Sequence, residues 1–262
     1  MSRIIPAGLL VSAIISIIVA FSGCVSTQSV LVEVISVIDG DTIRVQYDYD
    51  NDGLLDKVSI RYIGIDTPEI HQGSKPVGEF GEEALEYNRT LIELSDYQVK
   101  LEVQGRDNYD RILAYAYSKN GEFINEKIME KGLARPLTYE ETSKYSEQLK
   151  DAYYYAFDNR KGIFSKYDTV TIDASVVTND LENYLGKVTW IKFVVAHSDE
   201  NELLSKYALV EIREEEKNLF FSGDTDFKNY VGKTVKVFGE IWEENNKAKI
   251  LLRAPFELKI IN

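Results

Sequence analysis

Three short stretches of this chain carry residue types and spacings that can do phosphate chemistry. They are Asp39-Gly40-Asp41-Thr42, then Arg61 followed by Ile65-Asp66-Thr67-Pro68-Glu69, and later Asp107-Asn108-Tyr109-Asp110-Arg111. Calcium and magnesium take oxygen ligands, and the planar fork of an arginine matches a phosphate. Carboxylates that hold a hard cation, one more that acts as a base and two guanidinium groups make a set able to cleave a phosphodiester. Asp39 and Asp41 are two apart around Gly40, so they can share a face. Arg61 and Asp66 are five apart, which strict strand alternation would place on opposite faces. Either Gly64 sits in a bulge, or Asp66 lies past the strand end where Pro68 bends the chain.

The elements that must hold these residues are legible from periodicity. Ile43, Val45 and Tyr47 alternate with polar neighbours within a strand-like run from Leu31 to Gln46. An acidic hairpin, Asp48 to Asp56, leads to a third strand expected over Val58 to Ile65. Phe80, Ala84, Tyr87, Leu91 and Leu94 recur at helical spacing. Strands are expected near Val99–Val103 and Ile112–Tyr117, and a short helix from Glu122 to a glycine cap at Gly132. A third helix carries Tyr145, Leu149, Ala152, Tyr153 and Ala156 and stops before Gly162. The fold class is therefore mainly β with α: a five-stranded barrel of the OB type plus three helices.

After Tyr167 the pattern changes to strands with few helices. Leu181–Lys187 and Phe227–Lys233 echo each other, each reading as a helical turn capped by glycine and entering a strand. Strands are expected over Val188–Val195, Tyr207–Ile212, Thr234–Ile241, Lys247–Leu252 and Phe256–Ile261, giving a second, smaller OB-like β-barrel. The expected boundaries are 1–24 for a targeting segment, 25–167 for the first barrel unit and 168–262 for the second.

With 262 residues the chain is long enough for two modest domains or one large one, and 44% hydrophobic with 28% charged residues reads as globular. A net charge of −13 is unusual for a nucleic-acid binder, whose affinity comes from basic patches. A bound cation and a few arginines would have to supply local positive charge. The single cysteine excludes an internal disulfide, and two histidines leave little for histidine-metal chemistry. His71 reads as a surface residue, and His197 has no visible partner.

Residues from about Leu31 to Ser165 resemble the thermonuclease family, the calcium-dependent nucleases typified by the staphylococcal enzyme. The resemblance rests on Asp-Gly-Asp-Thr, Arg61 before Asp-Thr-Pro-Glu, Tyr109 two before Arg111, Asn125-Glu126, Gly132-Leu133-Ala134 and Ile163-Phe164-Ser165. It implies that Asp41 and Asp66 ligate Ca2+ with the main-chain carbonyl of Thr67. It further implies that Glu69 is the general base, that Arg61 and Arg111 stabilise the transition state, and that Tyr109 contacts a substrate phosphate. The chain departs from the family at Asp110, which stands where glycine is usual and could pair with Arg111. The stretch holding the family's later substrate tyrosines is two residues shorter here, which leaves Tyr139 as a substitute. The implied activity is an exported, calcium-dependent endonuclease acting on DNA and RNA, preferring single-stranded substrate. The alternative is a non-catalytic tandem OB module that binds nucleic acid or a surface partner. No protein partner is evident.

Three further features stay open at this level. Arg3 and the apolar run Ile4–Ala20 precede Phe21-Ser22-Gly23-Cys24, which resembles a lipoprotein processing site with Cys24 carrying lipid. The other readings are a retained membrane anchor or an ordinary secretion signal, and all of them export the chain. The hairpin places Asp48, Asp50 and Asp52 at positions one, three and five of a calcium loop, with Gly53 at six and Asp56 at nine. Ser59 stands where the bidentate glutamate belongs, so the hairpin is either a second calcium site or an acidic turn. Trp190, Phe193, Phe221 and Trp242 either stack bases or fill a core, and Glu214-Glu215-Glu216 would repel a nucleic-acid strand.

Overall fold

Val32, Val34, Ile43, Val45 and Ile60 alternate with outward-facing neighbours and turn inward, forming the wall of the first barrel around a buried interior. The structure is a computed structural model that describes residues 29–73, 75–139, 143–221 and 227–261. Residues 1–24, expected to be a targeting segment ending at Cys24, lie outside the described residues. Among the described residues no helix is long and apolar enough to cross a membrane.

The first half runs β1 (Val30–Val37), β2 (Thr42–Tyr47), β3 (Asp56–Tyr62), β4 (Gly64–Asp66), α1 (Gly81–Leu94), β5 (Gln98–Arg106), β6 (Ile112–Ser118), α2 (Ile124–Glu130), β7 (Arg135–Leu137) and α3 (Ser146–Asp158). Strands β1, β2, β3, β6 and β5 close a barrel in that order, with β3 and β6 parallel. The third strand does not continue to Ile65 as expected. It stops at Tyr62, and the chain turns at Gly64, whose φ is +82°, to pair residues 64–66 with β7. A Cβ at Gly64 would collide with Leu149 of α3, so both the backbone angle and the packing call for glycine.

The second half runs β8 (Thr171–Asp173), α4 (Ala174–Asn179), α5 (Leu181–Tyr184), β9 (Val188–Val194), β10 (His197–Ser198), β11 (Glu202–Leu204), β12 (Ala208–Ile212), α6 (Glu214–Phe220), β13 (Thr234–Glu240), β14 (Trp242–Glu244), β15 (Lys247–Leu252) and β16 (Leu258–Ile261). One sheet has the order β10-β11-β12-β15-β14 and the other β16-β13-β9-β8, with β12 and β15 parallel. Because β9 leads into β10 and β13 into β14, the path follows the same strand order as the first barrel. The two echoing segments are equivalent turns. Gly186 and Gly232 both have positive φ, and each turn feeds one strand of the antiparallel β9–β13 pair. The expectation of few helices missed α4 and α6.

An aromatic seam joins the halves. Tyr153, Phe157, Phe164 and Tyr167 from the first pack against Trp190, Phe238 and Phe256 from the second, with Phe157 and Phe256 stacked at 3.8 Å. The Tyr153 hydroxyl donates to Glu257 Oε1 at 2.6 Å and the Trp190 indole N–H to the Tyr167 carbonyl at 2.5 Å. Trp190, Phe193 and Phe221 are buried, so they fill the core and do not offer stacking faces to bases.

Candidate active site

Strand pairing brings the first two sequence stretches together. Thr42 pairs with Arg61, so Asp41, just before β2, adjoins the arginine near the end of β3. Gly40 lets the loop lie flat, since a Cβ there would run into Ala84 and Thr67. Asp41 Oδ2 accepts from the backbone N–H and hydroxyl of Thr67, at 2.8 and 3.0 Å, tying the loop before β2 to the segment after β4. The kink at Gly64 resolves the five-residue spacing, because Asp66 stands on a different strand from Arg61.

The Arg61 guanidinium is the hub of this arrangement. Its Nε lies 3.2 Å from Asp41 Oδ1 and its Nη2 3.3 Å from Asp66 Oδ1. Nη1 donates to the carbonyls of Tyr62 and Ile65 at 2.6 and 2.8 Å. Asp41 and Asp66 are only 5% and 9% exposed. Lys75 adds a second cation, with Nζ 2.8 Å from Asp66 Oδ1 and 3.4 Å from Glu69 Oε1. The Glu69 side chain keeps 39% of its surface exposed.

Electrostatics follow from this packing. Burial pushes the Asp66 carboxyl up, but Lys75, Arg61 and Arg253 outweigh it and hold it below the usual carboxylate range. Burial also opposes the charge of Lys75, yet Asp66 and Glu69 keep its ammonium more basic than usual. Asp39 is pushed up to about 7 by burial and then by the neighbouring charge of Asp41. Its Oδ1 accepts the Asp41 N–H at 3.0 Å.

The other expected residues make their contacts elsewhere. Arg111 stands one residue before β6, whose Leu113 pairs with Arg61, but its Nε is bound to Asp107 Oδ2 at 2.8 Å. The expected partner Asp110 pairs with Arg106 instead, because the positive φ of Asp110 turns its side chain back along the hairpin. Tyr109 is 82% exposed, and Tyr139 is exposed with Arg213 over its ring. His71 and His197 are exposed, the latter on β10. Asp48, Asp50 and Asp52 place carboxylate oxygens within 4.8 Å of one another, the one such trio among the described residues, without Asp56. Several of these oxygens accept backbone N–H groups of Asp52, Gly53 and Leu54.

The second half of the chain reaches into the centre, which the sequence did not announce. A narrow cavity of about 10 Å³ is lined by Asp66, Glu69 and Lys75 together with Arg135, Glu240, Trp242 and Arg253. Arg253 Nη2 lies 3.5 Å from Asp66 Oδ2. The glutamate run opens α6 and faces solvent only in part: Glu214 is exposed, whereas Glu216 is fully buried, accepting from the Thr138 N–H at 2.8 Å and pairing with Arg213. Lys75 had one local signal, as the basic residue of the loop following Glu69; Arg253 had none.

A closed OB-order barrel whose strand ends carry buried aspartates, a bridging arginine and a half-exposed glutamate defines a small class of phosphate-directed folds. The profile of the staphylococcal nuclease homologue family matches residues 59–166. The chain is 37% identical over 133 residues to a thermonuclease of Staphylococcus hyicus, covering 51% of this chain and 75% of that protein. Against two Bacillus subtilis (strain 168) proteins, the SPbeta prophage-derived endonuclease YokF and endonuclease YncB, it is 35% identical over 136 residues, covering 44% and 61% of their lengths. The chain belongs to the staphylococcal nuclease family.

Proposed function

We propose that the chain is an exported, calcium-dependent endonuclease hydrolysing phosphodiester bonds in DNA and RNA, with single-stranded substrate preferred. One observation carries this reading: a single guanidinium bridges Asp41 and Asp66 while Glu69 stays open to solvent beside them. The two buried carboxylates, with the Thr67 carbonyl that the resemblance adds, would make an all-oxygen set suited to a hard cation. A positive charge of the chain itself, the Lys75 ammonium, already lies between Asp66 and Glu69. Asp41, Asp66 and the Thr67 carbonyl would hold Ca2+, which when bound supplies positive charge against the scissile phosphate.

Glu69, with room for a water beside it, takes the proton from the attacking water. Arg61 acts mainly through its charge, since most of its donors are engaged within the fold, and Arg111 supplies the second guanidinium after leaving Asp107. Tyr109 is exposed and available to the substrate strand, and Tyr139 is exposed with Arg213 held over its ring. Residues 25–167 act as the nuclease unit and 168–262 as an OB-like unit packed against it. The N-terminal pattern supports export, with Cys24 lipidated or the apolar run acting as an anchor or a secretion signal.

Purified chain incubated with denatured DNA, with calcium or with chelator, tests the reading. Calcium-dependent cleavage that falls about 10²–10⁴-fold in Glu69→Gln is the expected outcome. Retained DNA binding without cleavage by the unaltered chain would sink it in favour of the tandem binding module.

A further inference from the structure

Arg253 is a buried cation whose place in the fold does not explain its charge. It is 2% exposed, and neither its Nε nor its Nη1 has a hydrogen-bond partner. Its ionic contacts are Asp66 Oδ2 at 3.5 Å and Glu216 Oε1 at 3.8 Å. The backbone here is fixed independently of the guanidinium. Glu257 Oε2 accepts the N–H groups of Arg253 and Ala254, which any residue would offer, and Glu257 Oε1 accepts from Tyr153 on α3. Glu216 likewise keeps the Thr138 N–H and Arg213 without it. An incompletely partnered buried charge is unfavourable, and an apolar side chain of similar volume would commonly serve stability as well. What only the guanidinium supplies is a positive charge on the Asp66 oxygen opposite the one held by Arg61 and Lys75.

We propose that Arg253, contributed by the second barrel, is a positioning residue of the nuclease centre that fixes Asp66 and sets the charge of the cleft. The inference rests on the nuclease reading. It makes the second barrel part of the working site, since Arg253 shares one cavity with Asp66 and Glu69. A fixed cation beside Asp66 repels an incoming Ca2+ and so weakens its binding. The same charge raises the positive potential facing the negative transition state. Removing it should therefore tighten calcium while slowing turnover, a split that loss of structure does not produce.

The test uses the full chain with Arg253→Met and Arg253→Gln, which remove the charge, and Arg253→Lys, which keeps it. Calcium affinity by calorimetry, which needs no turnover, is read beside kcat and KM on denatured DNA and beside thermal unfolding. The expected result for Met or Gln is calcium Kd lowered at least about tenfold and kcat lowered at least about tenfold, with KM for DNA changed less than about threefold. Lys should return calcium Kd toward that of the unaltered chain. Calcium Kd and kcat within about twofold of that chain in either charge-free variant overturn the proposal. So does weaker calcium binding that tracks a loss of thermal stability. An unaltered chain that neither binds calcium nor cleaves refutes the nuclease reading itself, a different failure.

Discussion

Arg61 shows how one side chain can serve both fold and chemistry. Four of its contacts converge from the loop before β2 and from strands β3 and β4: the Asp41 and Asp66 carboxylates and the Tyr62 and Ile65 carbonyls. A lysine keeps the charge but cannot present a planar fork. Arg61→Lys should leave at least one buried carbonyl without a donor and cost about 1–3 kcal/mol in urea unfolding, together with most of the activity. Near-normal stability would show that the bridge is incidental. The residues of this hub were readable because Asp41, Arg61, Asp66 and Glu69 fall in two short motifs on adjacent strands. Lys75 and Arg253 were not, because their importance comes from where the chain folds back and not from their neighbours in sequence. Asp110 misled for a related reason: adjacency in sequence favoured it over Asp107, whereas the turn geometry decided otherwise.

At the scale of elements, β13 ends with a buried acid, Glu240, lining the cavity beside Asp66 and Glu69. Burial pushes the Glu240 carboxyl up to about 7, against the opposing pull of Arg135, the Trp242 N–H and Lys75 and with added repulsion from Asp66. A carboxyl more basic in the folded than in the unfolded chain stabilises the fold most below its ordinary pKa of 4.5, and this contribution is lost as pH rises through about 7. Between pH 4.5 and 7 the loss amounts to roughly 3 kcal/mol. Glu240→Gln should flatten that part of the stability profile and leave the variant the more stable one at pH 8, measured by urea unfolding across the range. An unchanged profile would mean Glu240 is ionised and paired in the native state. The strands themselves were legible from alternation. The break of β3 at Tyr62 was only half legible, since Gly64 marked an irregularity without saying that the chain would leave the barrel. Helix α6 was obscured by its three glutamates, which read as a solvated run until Glu216 is seen paired inside.

For the whole molecule, the contacts between halves predict a single cooperative unfolding transition in calorimetry, because the seam is apolar, hydrogen-bonded and continuous with both cores. Tyr153→Phe should lower its midpoint, as Glu257 Oε1 loses a donor in a buried setting, at about 1–3 kcal/mol. Two separated transitions would show that the halves are merely tethered. The acidic balance of the chain, its first barrel and the strand-rich second half were visible in composition and strand spacing. The docking of one barrel on the other's centre was not, since no local pattern encodes which outer surfaces meet.

The stacked pair of Phe157 and Phe256 carries a practical corollary for anyone trimming this protein. A gene ending near Tyr167 would retain the recognisable motifs yet bare Tyr153, Phe157 and Phe164 as an adhesive scar. Such a fragment is the form most prone to precipitate during purification, so a shortened catalyst would first need that face recoated with polar side chains.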